Sequence, residues 1–365
     1  MNVRRMLERV PSDRAAEERA WAVVRAAYAE REPVRSRVVV RRRFVLAAAA
    51  LALACAAAAL SPPGRAVVNA VRRSIGIEHA QPALFRLPAS GRLLASGGGG
   101  TWVVAADGSK RRLGDWPAAS WSPHALYVVA WSREGLAAID PSHGTVHWSL
   151  ARPAVSDVRW GGTRVDTRVS YLSGRSLRVV AGDGTGDRLL ADAVAPVAPV
   201  WQPEQHVLAY VTRSGRAVVV RNADSGALVA VHRVRARVHE LAWSADGRRL
   251  AAGTAAGVEV FGTGGTERIA RRGLLALAFA PNGSLALLTS RAVLVDGTEG
   301  LTTVLRVPAR LAGLAWSPDS RWLVTSLPAA DQWIFVGRRR LVAFAHIARQ
   351  LGGAAPALDG WAPGA

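Results

Sequence analysis

Leu241-Ala-Trp-Ser-Ala-Asp-Gly-Arg-Arg-Leu-Ala-Ala252 is an apolar run closed by a tryptophan, then a polar turn, then a second apolar run. Asp-Gly between two apolar runs is a strong hairpin signal, because these residues accept the positive backbone angles of a tight turn. The pattern recurs at Leu277-Ala-Phe-Ala-Pro-Asn-Gly-Ser-Leu-Ala-Leu-Leu288 and at Leu314-Ala-Trp-Ser-Pro-Asp-Ser-Arg-Trp-Leu-Val-Thr325. Working outward, the aromatic anchors are Trp121, Trp160, Trp201, Trp243, Phe279 and Trp316, at spacings of 39, 41, 42, 36 and 37 residues. A period near 40 residues marks stacked copies of one supersecondary unit.

Each anchor closes one strand before a hairpin, and a third apolar run follows about ten residues later. Examples are 135–140, 176–180, 217–221, 257–261 and 292–296. A second turn and a fourth run complete the unit, as in Asn222-Ala-Asp-Ser-Gly226 followed by residues 227–232. Four short strands per repeat predict an all-β fold, a β-propeller of four-stranded blades. A lone blade has two apolar faces, so the anchors, Trp121, Trp201, Trp243 and Trp316 among them, are expected between blades. Residues 84–117 form the weakest copy, with no aromatic anchor. Counted as a blade it makes seven; if its strands instead complete the last blade the ring has six, and the reading favours seven.

The Trp-Ser-Pro-Asp type of repeat at 241–252 and 314–325 resembles the propeller repeats of TolB-like and WD40-like bacterial proteins, over roughly residues 84–350. The chain departs from WD40 repeats in lacking an opening Gly-His pair and a Trp-Asp dipeptide. It departs from TolB in having no α/β domain before the first blade. The resemblance implies a propeller and leaves the partner open.

The amino-terminal quarter is a different object. Phe44 to Leu60 is an apolar run of 17 residues without charge or proline, preceded by Arg41, Arg42 and Arg43 and stopped by Ser61, Pro62 and Pro63. This length is the lower limit of a spanning helix, and the arginines predict that residues 1–43 lie in the cytoplasm and the propeller outside. A cleaved signal peptide has a shorter leader than 43 residues. A lipoprotein signal at Cys55 has a poor lipobox, so a retained single-pass anchor is the reading. Residues 14–31 form an amphipathic pattern with Trp21, Val24 and Tyr28 on one face, either a docking helix or a juxtamembrane helix on anionic lipid. The expected organisation is thus a cytoplasmic segment at 1–43, the span at 44–60, a linker at 61–83, the propeller at 84–350 and a tail at 351–365.

The net charge of +20 divides into +6 for residues 1–43 and +14 for the remainder, and Lys110 is the only lysine. A basic outer domain is attracted to acidic polymers or headgroups, while the topology takes it away from nucleic acid. The Arg338–Arg340 run reads as a solvated turn. His143 and His147 are four apart but straddle a turn, which disfavours zinc. No nucleophile elbow, phosphate loop or zincin helix is present in the sequence. No catalytic, cofactor or metal residue is therefore expected. The expected function is a non-catalytic, membrane-anchored module that binds a protein or an anionic envelope polymer at one mouth of the ring. A transmembrane signalling regulator is the alternative, and a small propeller enzyme of the lactonase or lyase type the third.

Overall fold

A computed structural model describes residues 86–297 and 300–364. The expected cytoplasmic segment 1–43, the span 44–60 and the linker 61–83 lie outside the described residues. No helix among the described residues is long and apolar enough to cross a membrane.

Seven four-stranded antiparallel sheets make up the fold, so the chain is an all-β, seven-bladed propeller. The innermost strands of blades 2 to 7 are Ala118–Trp121, Val155–Gly162, Val200–Trp201, Val238–Trp243, Leu274–Phe279 and Ala312–Trp316. Each ends on or near its predicted anchor. Each is followed in sequence by its three sheet neighbours, out to the perimeter.

Blade 1 differs from the sequence reading. Its innermost strand is Ala357–Ala362, which pairs with Arg92–Ser96; Thr101–Ala105 and Lys110–Gly114 complete the sheet. Residues 351–365 are therefore not a tail. The blade whose sequence shows no anchor has one in Trp361. Trp361 opposes Leu93 as Trp243 opposes Leu250 and Trp316 opposes Leu323. The repeat is cut at its turn: Gly360-Trp361-Ala362-Pro363 supplies the first half and Ser90-Gly91-Arg92-Leu93 the second. A pattern searched along contiguous sequence misses a motif divided between distant segments. The ring thus has seven blades and is also closed by a two-ended clasp. Arg86 to Pro88 is not a strand, but Leu87 is buried and its amide donates to the Ala106 carbonyl at 2.9 Å.

Seven apolar clusters occupy the seven junctions between blades, and every anchor belongs to the cluster it shares with the preceding blade. Trp201, for example, packs with Leu172, Leu177 and Val179 of blade 3, and Trp361 with Trp333 and Phe335 of blade 7. Alternation along the strands produces this arrangement. Leu208 and Tyr210 face blade 3 while Ala209 and Val211 face blade 5. The indole N–H of Trp201 donates to the Arg159 carbonyl and that of Trp316 to the Ala278 carbonyl, both at 3.1 Å, tying inner strands across the junction.

Candidate functional site

Antiparallel strands put two kinds of turn on opposite mouths. The anchor turns and the hairpins between third and fourth strands lie on one mouth; the remaining connections lie on the other. The anchor turns of blades 5 and 7 are built alike. In blade 5 the Ser244 hydroxyl donates to Asp246 Oδ1 at 2.5 Å and accepts from the Arg249 amide at 2.9 Å. In blade 7 Ser317 does the same with Asp319 and the Trp322 amide. The fourth turn residue takes positive φ, as Gly247 at 67° and Ser320 at 60°.

Most arginines near these turns are committed internally. Arg92 lies 5.0 Å over the Trp121 ring and Arg249 the same distance over Phe279. Arg152 and Arg178 pair with Asp187, whose second oxygen accepts from the Tyr171 hydroxyl at 2.6 Å. Burial and this carboxylate push the Tyr171 phenol up to about 12. Arg168 and Arg188 share Asp224 with His206, which also reaches the Asp166 carbonyl. The two histidines weighed for zinc do other things: His143 bonds Asp140 at 2.7 Å, and His147 meets the Tyr127 ring edge-on at 4.8 Å. No group of three His, Cys, Asp or Glu among the described residues is arranged for a metal.

Blades 6 and 7 depart from this pattern. A groove of about 1130 Å³ opens between them, walled by Thr302 and Thr303 of the outer strand of blade 6 and by the turns of blade 7. Its basic residues are Arg321, Arg338, Arg339 and Arg340; all four are exposed, and none makes an ion pair among the described residues. Trp316 and Trp322 supply aromatic surface. Gly337 closes the turn through its amide to the Arg340 carbonyl at 2.8 Å, and a Cβ there would meet the Trp322 ring at 3.0 Å. The glycine thus lets the indole lie close against the base of the arginine turn. A smaller cavity of about 230 Å³ shares Trp322 and Arg340 and adds Arg86, prolonging the basic track toward blade 1. The Arg338–Arg340 run is therefore in a solvated turn, as expected, but it also walls this groove. Sequence alone did not signal this, because Thr302, Arg321 and Arg338 come from three separate turns and strands.

The axial channel holds a second set of charged groups. Asp157, Glu240 and Asp359 sit on inner strands of blades 3, 5 and 1, at or beside β-bulges. Burial pushes the Glu240 carboxyl up to about 7, with Asp157 adding to the effect and Arg159 opposing it. Burial does the same to Asp359, also up to about 7, against Ser96 and Arg159. Arg159 acts on carboxyls from two blades that do not neighbour its own, so these groups meet across the axis. Asp359 Oδ2 and the Ser96 hydroxyl are both buried, and each is the other's polar neighbour. No motif signals these residues, since bulges leave no spacing to read.

No family model matches the chain, and no curated protein matches it. Solved structures do. A functionally unknown protein from Desulfotomaculum acetoxidans DSM 771 is similar at 13% identity with a TM-score of 0.57, over 75% of this chain and 100% of that one. KlHsv2 with loop 6CD replaced by a Gly-Ser linker, from Kluyveromyces lactis, is similar at 12% identity and TM-score 0.51, over 67% and 88%. Kuenenia stuttgartiensis hydrazine synthase follows at 13% and 0.49, over 61% and 78%. At these identities the likeness shows the propeller fold alone.

Proposed function

We propose that the chain is a non-catalytic binding module, of the TolB-like and WD40-like kind its repeats resemble, that grips an anionic envelope polymer in the groove between blades 6 and 7. The observation that carries this reading is the run of three exposed arginines, Arg338 to Arg340, with no ion pair among the described residues, joined by Arg321, whose charge already acts on Asp319, beside an aromatic wall. Elsewhere on the same mouth several arginines are neutralised by Asp187 and Asp224 or laid over rings, and those left exposed without an ion pair, Arg164 and Arg248, stand singly in their turns. Guanidinium groups present planar forks suited to phosphate and carboxylate oxygens. Single exposed pairs are weak, so a polyanion that engages several arginines together is the ligand class that gains most. The apolar run at 44–60 anchors the module beside such polymers, and the +14 charge beyond residue 43 draws them in.

The test is binding of the full-length protein, in detergent micelles, to poly(glycerol phosphate). Affinity is expected to fall as salt rises, because exposed charges are screened within about 10 Å at 0.1 M. Arg338→Glu, Arg339→Glu and Arg340→Glu together should weaken binding by about tenfold or more at low salt. Melting temperature should be unchanged, since the three side chains are exposed. Equal affinity in the triple variant overturns the assignment of the groove, and consumption of the polymer overturns the non-catalytic reading.

A further inference from the structure

The outer strand of blade 4, Leu228–Arg233, pairs with Ala217–Asn222 along one edge only. Its other edge faces solvent with Leu228 59%, Val229 57% and Val231 51% exposed, and no charged residue occurs from Leu228 to His232. Exposed edges are ordinarily blunted by charge, shortness or cover, because their free N–H and C=O groups invite pairing. Four of the six other perimeter strands follow that rule. Lys110–Gly114 carries Lys110, Arg111 and Arg112; Gly265–Ala270 carries Glu267 and Arg268; Arg188–Ala191 is four residues long; and Leu341–Ala345 buries Ala343, Phe344 and Ala345. Of the remaining two, Gly300–Arg306 carries a charge only at Arg306, and Val146–Ala151 carries none but is tied to blade 3 by the Trp148 indole, which donates to the Gly182 carbonyl at 2.7 Å. Blade 4 lacks each protection.

One end of this bare edge is ringed by arginines. Val234 donates to the Arg216 carbonyl at 2.9 Å, and the Arg237 side chain packs on Gly215 at 3.0 Å from where a Cβ would be. The turn between Val207–Val211 and Ala217–Asn222, with Arg213 and Arg216, therefore meets the connection carrying Arg233, Arg235 and Arg237. All five are exposed and none makes an ion pair among the described residues. Five like charges beside one end of the edge disfavour a second copy of this chain added parallel to it and favour a carboxylate-bearing partner.

We propose that the Leu228–Arg233 edge is a strand-addition site for an extended segment of a partner protein, alternating in apolar residues and acidic at the end that lies beside Arg233. Main-chain hydrogen bonds supply affinity, Leu228, Val229 and Val231 cover alternate apolar side chains, and the arginines fix the direction of the incoming strand. This surface is separate from the polyanion groove and does not depend on it.

The probe is a synthetic peptide, Thr-Val-Thr-Val-Thr-Val-Glu-Asp-Glu, with a version ending in three lysines as control, titrated into the full-length protein. The acidic peptide should bind, protect backbone amides of residues 228–233 from hydrogen exchange, and lose about tenfold or more in affinity with Val229→Lys and Val231→Lys together. The lysine-tailed peptide should not bind. Because both valines are exposed, the double variant should keep the wild-type melting temperature, and the groove variant at residues 338–340 should keep full peptide affinity. Absence of binding, absence of protection at 228–233, or loss of binding in the groove variant instead overturns the proposal. So does concentration-dependent dimerisation that the valine substitutions abolish, since the occupant is then a second copy.

Discussion

Trp201 shows how tightly one residue governs a junction. Its ring lies against the backbone of Gly161, where a Cβ would fall 1.9 Å from the indole Cγ. Gly161→Ala should therefore displace the anchor and destabilise the protein by about 3 kcal/mol or more, as overpacking a filled core does. Thermal denaturation checks it, and an unchanged melting temperature shows the junction to be loose. Asp359 governs the channel by charge. Its carboxyl, pushed up to about 7, stays protonated in the folded ring while an unfolded chain ionises near 4. Stability from this group is thus undiminished below about pH 4, falls as pH rises, and is lowest above about pH 7. Asp359→Asn should raise the melting temperature by about 3 to 6 °C at pH 8 and by almost nothing at pH 4. A gain that is equal at both values assigns the effect to packing. Six of the seven anchors were legible in sequence because a large aromatic repeats, and Trp361 was not, because its repeat is divided between the two ends of the ring. Gly161 and Asp359 were not, since one is defined by its neighbour's ring and the other by a bulge.

Among elements, the anchor turn is the unit the sequence states most fully. Ser317 joins Asp319 to the Trp322 amide, so Ser317→Ala removes an acceptor from a backbone donor and a donor from a carboxylate at once. A loss of about 1 to 2 kcal/mol is expected by chemical denaturation. Asp319→Asn, which keeps an acceptor for the Arg321 amide, should cost less. A larger loss from the asparagine change makes the charge, not the hydroxyl bridge, the important part. Blade 2 keeps Ser122 but has His124 where the aspartate stands, and the Ser122 hydroxyl still accepts from the Tyr127 amide at 3.0 Å. That is why its turn was recognisable from the anchor more than from the turn residues. The groove is the contrary case. Its walls come from separate hairpins whose sequences read as ordinary exposed loops, and only their placement beside Trp322 gives Arg338 to Arg340 a common face.

For the whole molecule, closure rests on Ala357–Ala362. Deleting residues 357–365 strips blade 1 of its inner strand and opens the cluster holding Leu87, Leu93, Trp333 and Phe335. The expected result is aggregation or a broad, non-cooperative melt in place of a single transition. Rejoining the divided repeat, by linking residue 364 to residue 90 and opening the chain in another turn, should restore cooperative unfolding. Failure of the permutant would mean the clasp matters through its termini and not its strand. The same pairing sets an order in time. Arg92 must wait for Ala362, a partner that leaves the ribosome after every other described strand, and bridging so long an interval has a high entropic cost. Through most of synthesis Leu93 and Leu94, both fully buried in the finished ring, have no inner strand beside them. The interval before Ala357–Ala362 is made is therefore when this chain is most in need of a chaperone, and substitutions in the clasp strand should be felt first as lost yield during biosynthesis and only second as lost stability.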